Sequence, residues 1–310
     1  MNLSDKIYIA GGHNGMVGSA IKKYLEENGY HNILTKSSKQ LDLRNQNQVK
    51  NFFRKEKPSY VFLAAAKVGG IYANNKYKAD FIYDNLMIES NVIHSSFENS
   101  VKKLLFLGSS CIYPKFSAQP IKEKYLLSGY LEETNQPYAI AKIAGIELCN
   151  SYRDQYNCNF ISAMPTNLYG PNDNYDSLKS HVIPALIRKF VEAKLNNLES
   201  VTVWGSGKIK REFLHVDDLV VALCFLMKNY NNKDIVNVGC GSDISIKELA
   251  FLIAKISRFE GKIIFDKDKP DGTPRKLLDI SFISNLGWKP SISLKKGLTK
   301  TIIDYKNSIT

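Results

Sequence analysis

Ser109, Tyr138 and Lys142 are side chains whose types and spacing suit proton delivery to a carbonyl. Ser109 follows Leu104-Leu105-Phe106-Leu107-Gly108, where a buried strand would end. Tyr138 and Lys142 lie one helical turn apart in Tyr138-Ala139-Ile140-Ala141-Lys142. A free phenol titrates at about 10 and is a poor acid–base group at neutral pH. An ammonium one turn away favours the phenolate and lowers that value, and it also suits a cofactor ribose. The serine hydroxyl would hydrogen-bond the oxygen that Tyr138 protonates or deprotonates. Alone, a Tyr-x-x-x-Lys more often marks an exposed helix face. A glycine loop upstream, with Ser109 in between, turns the balance toward chemistry.

That loop is Gly12-His13-Asn14-Gly15-Met16-Val17-Gly18, a Gly-x-x-Gly-x-x-Gly between a β-branched run and a helical pattern. Its glycines permit a tight turn and close approach of backbone to a pyrophosphate, which the helix N-terminus stabilises. Gly12, Gly15, Met16, Val17 and Gly18 are therefore cofactor-binding candidates. Sites for NAD usually place an acid at the end of the second strand. Here the segment reads Thr35-Lys36-Ser37-Ser38-Lys39. Lys36 and Lys39 favour the extra phosphate of NADP, the alternative being two solvated lysines.

The elements that must position these groups alternate. Strand patterns at 6–10, 31–34, 60–66, 103–107 and 160–164 are separated by helical patterns at 19–28, 46–55, 79–99 and 138–156. This rhythm implies an α/β fold, a Rossmann-type doubly wound parallel sheet with helices on both faces. After Asn167 loops rich in Asn, Gly, Pro and Ser interrupt shorter elements, yet 216–228 and 235–238 read as a further helix and strand of the first sheet. A smaller α/β region is thus interleaved with the first: 1–168 and 216–240 for the cofactor, 169–215 and 241–310 for the substrate.

A chain of 310 residues, 44% hydrophobic and 23% charged, has the composition of a globular protein able to bury a large core. No apolar run nears the roughly 20 residues of a membrane helix. Met1 to Lys6 leads into a strand and not a signal peptide, so a cytoplasmic protein is expected. Five cysteines at 111, 149, 158, 224 and 240 lack the spacing of a disulfide framework or metal site, and no metal is expected. All but Cys111 read as small core hydrophobes. The net charge of +12 is spread over scattered lysines, which argues against nucleic acid or membrane partners. An anionic small substrate, or a Lys-rich surface, accounts for it.

The combination resembles the extended short-chain dehydrogenase/reductase family. Within it the similarity narrows to the GDP-L-fucose synthase branch, NADPH-dependent 3,5-epimerase/4-reductases of GDP-4-keto-6-deoxy-D-mannose. The stretches that carry it are Ala64 to Ile71, Leu107 to Pro114, Pro137 to Gly145, Met164 to Pro171, His181 to Leu186, Val203 to Asp218 and Pro270 to Lys276. Ser109-Ser110-Cys111-Ile112-Tyr113-Pro114 is the most specific of them. The resemblance implies that Cys111 and His181 form the acid–base pair that inverts C3 and C5. Hydride transfer from NADP(H) to C4 follows, with Tyr138 protonating O4, Lys142 tuning Tyr138 and Ser109 orienting the ketone. It implies cofactor contacts from Asp42, Leu43, Ala64, Lys142, Pro165, Asn167, Leu168 and His181. It implies substrate contacts from Asn167, Lys189, Trp204, Arg211 and Asp271, and a homodimer through the helices at 79–99 and 138–156. On residues alone, Cys111 reads as a buried structural cysteine, His181 as a capping or surface residue and Trp204 equally as core packing or as a surface for the nucleotide.

The family commonly carries basic residues where this chain has Asn14 and Ser38, which leaves Lys36 or Lys39 to meet the extra phosphate. The segment 229–235 is also shorter than is usual. A C4-reductase of a GDP-4-keto-6-deoxy-heptose, in capsule or surface polysaccharide synthesis, is the alternative. There Cys111 and His181 are retained without epimerising. A non-catalytic NADP-sensing module is a remote third reading, since such modules generally lose the Tyr or Lys that this chain keeps.

Overall fold

The computed structural model describes residues 1–11, 13–176, 180–269 and 272–309. The first half runs β1 (Ile7–Ala10), α1 (Met16–Glu27), β2 (Ile33–Thr35), α2 (Gln46–Glu56), β3 (Tyr60–Leu63), α3 (Ile71–Lys76), α4 (Lys78–Glu98) and β4 (Lys103–Leu107). Short 3-10 turns at Ser110–Ile112 and Glu123–Tyr125 precede α5 (Gln136–Tyr156). Then come β5 (Phe160–Pro165), β6 (Asn167–Tyr169), α6 (Val182–Leu195), β7 (Ser200–Trp204), β8 (Lys210–His215), α7 (Val216–Asn229) and β9 (Val236–Val238). The chain closes with β10 (Asp243–Ser245), α8 (Ile246–Ser257), β11 (Lys262–Asp266), β12 (Arg275–Lys276), α9 (Ser281–Leu286) and α10 (Leu294–Ile309).

β1, β4 and β5 are continuous runs of buried residues because both faces of their sheet are covered. That sheet has six strands, ordered β2-β1-β3-β4-β5-β9 and all parallel. Alternate side chains feed opposite cores. Ile7 and Ile9 pack with Ile21 and Leu25 of α1 and Leu219 and Leu223 of α7. Tyr8 and Ala10 pack with Val49 and Phe53 of α2, Val92 and Ile93 of α4 and Ile146 of α5. The expected doubly wound parallel sheet is present. Its order reverses between β1 and β3, and ligands bind such sheets at the strand C-termini beside that reversal.

A third core lies among α6, α8 and α10, with Val201 and Val203 of β7 and Phe213 of β8. β6 continues from β5 and pairs with β8, which also pairs with β10 and β12. The chain then returns through α7 to β9 of the first sheet, so the two regions interleave. Several expected boundaries shift. The third strand stops at Leu63, and Ala64 to Ala66 leave the sheet to line a cavity at its edge. The second strand is Ile33–Thr35, two residues later than expected. Cys149 and Cys224 are buried, whereas Cys158 and Cys240 are partly exposed and pack against the margins of the cores. Among the described residues, no helix is long and apolar enough to cross a membrane.

Lys103, at the start of β4, is 3% exposed. Its ammonium donates to the carbonyls of Leu226 (3.0 Å), Met227 (2.9 Å) and Tyr230 (2.6 Å) and to Asn231 Oδ1 (3.1 Å), closing the C-terminus of α7. A cation there complements the helix dipole and satisfies carbonyls that the helix leaves over. Lys103→Met keeps the stem and removes every one of these bonds. It should lower the unfolding free energy by about 2–4 kcal/mol. Denaturant unfolding measures the loss, and an unchanged midpoint would remove Lys103 from this role.

Candidate active site

The strand ends on both sides of the reversal open into one cavity of about 1490 Å³. That exceeds the roughly 300–1,000 Å³ of an ordinary small-molecule site and suits two large ligands side by side. Its wall includes every described candidate: Gly15, Met16, Val17, Gly18, Lys36, Lys39, Asp42, Leu43 and Ala64 on the side of β1 to β3. Ser109, Cys111, Tyr138, Lys142, Pro165, Asn167 and Leu168 line the middle, and His181, Lys189, Trp204 and Arg211 the far side. Gly12 and Asp271 lie outside the described residues.

At the first end, β1 turns directly into the glycine loop. Gly11 has φ +75°, and a Cβ there would sit 2.4 Å from Ala65 Cβ, so only glycine fits. Gly15 is the N-cap of α1 with extended backbone and no side-chain cap. The first N–H groups of α1 thus lack a side-chain partner, as an anion site requires. Lys36 is half-buried and Lys39 exposed. Among the described residues neither is ion-paired, and both line the cavity. The Asp42 carboxylate is engaged by Arg44, whose Nη2 lies 2.9 Å from Oδ2, and this pairing holds its pKa below the ordinary range. Arg44 also reaches Asp84 of α4 at 3.3 Å. These residues fit a dinucleotide whose phosphates meet α1 and the two lysines.

In the middle, Ser109 follows two residues after β4 and caps the 3-10 turn at Ser110–Ile112, its hydroxyl accepting from Cys111 N at 3.2 Å. Tyr138 lies in the first turn of α5, with its ring edge-on to Phe81 at 6.4 Å. Burial pushes the Tyr138 phenol well above its usual value; Cys111 and Glu89 add to the rise, and the hydrogen bond with Ser109 opposes it. The Lys142 ammonium, 6.0 Å from the Tyr138 ring centre, is drawn to Glu89 Oε1 (2.9 Å) and the Leu107 carbonyl (3.0 Å). The cause is burial: Lys142 and Glu89 are each 1% exposed, and a charge without water seeks the nearest opposite charge.

Cys111 Sγ accepts from Asn135 Nδ2 at 3.4 Å and Lys276 Nζ at 3.5 Å. Lys276 arrives from β12 because Ile121 and Leu278 bridge the loop after β4 to the C-terminal segment. His181 is the N-cap residue of α6 but makes no cap hydrogen bond with its side chain, which rules out the capping reading. The residue is exposed where it opens onto the cavity, and the protein packed around its ring pulls its pKa below the ordinary imidazole value. Asn167 uses its amide to donate to the Glu212 carbonyl at 2.9 Å.

At the far end, β7 alternates buried Val201 and Val203 with exposed neighbours, leaving Trp204 49% exposed. Trp204 is therefore not core packing. The ammonium groups of Lys189 and Lys269 stand 5.4 and 5.6 Å from its ring centre, and Lys189 also donates to the Thr202 carbonyl at 2.8 Å. Arg211 of β8 donates Nη1 to the Lys210 carbonyl at 2.8 Å. An aromatic face ringed by cations suits a base with a diphosphate. Sequence reasoning missed Glu89, Asn135 and Lys276 as neighbours of the reactive groups. Lys276 stood in a quoted stretch, but nothing local placed it beside Cys111.

A doubly wound parallel sheet with a glycine loop, and a serine and a tyrosine lining one large cavity at its strand ends, fit a nucleotide-dependent enzyme of the short-chain type. The chain belongs to the NAD dependent epimerase/dehydratase family, whose model matches residues 7–239. It is 56% identical over 306 residues to GDP-L-fucose synthase 1 of Arabidopsis thaliana, spanning 99% of this chain and 94% of that relative. Among solved structures it is similar to a GDP-6-OMe-4-keto-L-xylo-heptose reductase from C. jejuni (TM-score 0.93, 42% identity, 99% of each chain). It is also similar to a GDP-mannoheptose C4 reductase from Campylobacter jejuni with NADP bound (TM-score 0.91, 43% identity, 99% of each chain).

The lysines at the end of β2 generate a prediction. Replacing Lys36 and Lys39 together with alanine should weaken NADPH binding about 10- to 100-fold, as expected for charge-assisted phosphate bonds. NADH binding should stay within about twofold by the same reasoning. Fluorescence titration of each dinucleotide reads this, and equal losses for both would deny the lysines the 2′-phosphate.

Proposed function

We propose that this chain reduces C4 of a GDP-4-keto-6-deoxy sugar with NADPH and also epimerises C3 and C5, as its relatives named GDP-L-fucose synthase suggest. The observation that carries the reading is a single cavity lined by Ser109, Cys111, Tyr138, Lys142 and His181 between a dinucleotide end and the Trp204 end. A C4 ketone acidifies the hydrogens on C3 and C5. Of Cys111 and His181, one removes such a proton and the other returns a proton to the opposite face, which inverts the centre. Bound NADPH supplies the hydride for C4. Ser109 hydrogen-bonds the ketone oxygen, and Tyr138 donates its proton to that oxygen as charge develops there. Lys142 holds the ribose and sets the electrostatics around Tyr138.

Gly15, Met16, Val17 and Gly18 would cradle the pyrophosphate, and Lys36 and Lys39 would take the 2′-phosphate. Asp42, Leu43, Ala64, Pro165 and Leu168 would line the rest of the cofactor's course. Lys189, Trp204 and Arg211 would hold the GDP end, with Asn167 near the sugar. Residues 1–168 and 216–240 form the cofactor region in this reading, and 169–215 and 241–310 the nucleotide-sugar region. A homodimer through α4 and α5 is supported by exposed apolar side chains there, Tyr83, Ile140 and Tyr156.

Reduction alone, on a GDP-4-keto-6-deoxy-heptose, is the second reading. It is favoured by the two similar Campylobacter structures, whose names are those of heptose reductases. The higher identity to the plant relative, 56% against 42 and 43%, puts the hexose first.

A panel of GDP-4-keto hexoses and heptoses offered with NADPH distinguishes them, with products read by mass and NMR. The hexose should be consumed fastest. Tyr138→Phe should cut ketone reduction by about 100-fold or more and leave NADPH affinity within about twofold. Undiminished turnover in that variant would remove Tyr138 as the proton donor.

A further inference from the structure

Inverting two centres of one sugar sets a requirement that reduction does not. After the first inversion, the base of the Cys111–His181 pair holds the proton it removed and the acid has lost its own. The second centre of the same bound sugar is inverted only once both are reset. His181 is exposed, whereas Cys111 is half-buried, with Asn135 and Lys276 against its sulfur. A sugar seated in the main cavity fills the approach to Cys111 from that side.

Cys111 has a second approach. A small cavity of about 10 Å³ adjoins the main one and shares Cys111, Lys115, Glu132, Asn135 and Lys276 with it, while Gln119 lines the small one alone. Such a volume holds about one water molecule, provided polar partners surround it. The Asn135 amide oxygen is buried without a hydrogen-bond partner among the described residues, and a water here supplies one. Gln119 is already engaged: its oxygen accepts from Leu277 N at 2.8 Å, and its amide donates to the Ser117 carbonyl at 3.3 Å. Among the described residues, the one carboxylate lining this cavity is Glu132. Its Oε2 accepts from the backbone N–H of Thr134 at 3.1 Å and from the Thr134 hydroxyl, while Oε1 stands 3.6 Å from the Lys115 ammonium. The side chains of Glu132 and Lys115 are 18% and 31% exposed, so the carboxylate reaches from the cavity to solvent. The Glu132 carbonyl also accepts from Asn135 N at 3.2 Å, and the same turn thereby presents Asn135 to the sulfur.

Resting on the epimerisation proposed above, we propose that Glu132, through a water in the small cavity, carries protons between Cys111 and solvent while the sugar stays bound. Where Cys111 is the base, its S–H proton passes to the water as the water gives one of its own to the Glu132 carboxylate. Glu132 then releases that proton to solvent, and Cys111 is a thiolate again. Where Cys111 is the acid, the same steps run backwards and the thiolate regains its proton. Only S–H and O–H bonds form and break. Glu132 touches neither sugar nor cofactor and acts through Cys111.

The test follows deuterium at each carbon of GDP-4-keto-6-deoxy-mannose by rapid quench and NMR, with protein in excess over sugar in deuterated water. Glu132→Gln keeps the shape of the side chain and an acceptor for Thr134, and removes the group that takes up a proton. The first deuterium needs no reset, whereas the second does. In Glu132→Gln the second should therefore lag the first about 10- to 100-fold more than in the parent, the scale of a lost proton-transfer group. Damage to the placing of Cys111 would slow both carbons alike. Glu132→Ala opens a gap for a small acid, so added formate should shorten its lag and leave the parent unmoved. Should Glu132→Gln not fold, Glu132→Asp carries the same reading with a smaller lag. A second deuterium arriving in Glu132→Gln with the parent's delay would overturn the relay. So would equal slowing of both carbons that formate does not relieve, which would leave Glu132 only the holding of Asn135. A parent protein that introduces no deuterium at all would instead defeat the epimerisation reading itself.

Discussion

The carboxylate of Glu212 is the tie on which the cavity depends. Glu212 lies on β8 with no exposed surface, and it accepts from the backbone N–H groups of Cys240 (2.7 Å), Gly241 (2.7 Å) and Leu278 (3.0 Å). One side chain thereby joins the sheet of the substrate side to the end of β9 and to the segment that brings Lys276. Burial pushes its pKa up, while these N–H donors favour the ionised form. Gly239 leaves the space, since a Cβ there would lie 2.4 Å from Glu212 Oε1. Asn237 adds a second tie: its amide donates to the Ile121 and Asp279 carbonyls at 2.9 and 3.2 Å, and its oxygen accepts from the Tyr113 hydroxyl at 2.6 Å. The loop that carries Cys111 is thus fixed to both regions at once. Buried polar groups so fully satisfied specify one arrangement of the surrounding chain.

That rigidity serves the chemistry. Proton transfer at a sugar ring requires groups held on opposite faces, and small displacements are costly. Ser109 and Tyr138 are set by β4 and α5 of the first sheet, whereas His181 belongs to α6 of the other core. Cys111 sits between, and its sulfur is met by Asn135 and by Lys276 from the far end of the chain. The site is assembled at the seam, and the interleaved path of the chain, with α7 returning to the first sheet, keeps the seam from opening freely.

Much of the fold was legible because β1, β4 and β5 are buried on both faces and read as unbroken apolar runs. The glycine loop and the Tyr138–Lys142 turn were legible for a different reason: their spacing is local. The short strands β6, β10 and β12 were not, since two or three residues hold no periodicity and pair only because β8 lies beside them. Glu89 is the sharper case. In sequence it is one acid in a mixed helix, and only the gap at Gly145 and the buried ammonium of Lys142 show why it is inside. Cys111 and His181 carried no readable pattern of their own; resemblance singled them out, and the fold then brought them to one cavity.

A cavity that both inverts and reduces the sugar must exchange protons with solvent even without hydride transfer. Purified protein is incubated with GDP-4-keto-6-deoxy-mannose in deuterated water with no dinucleotide present, and the sugar is examined by NMR and mass. Deuterium should appear at C3 and C5 and be lost when Cys111 or His181 is replaced; a sugar that stays fully protonated at both carbons would contradict epimerisation by this pair.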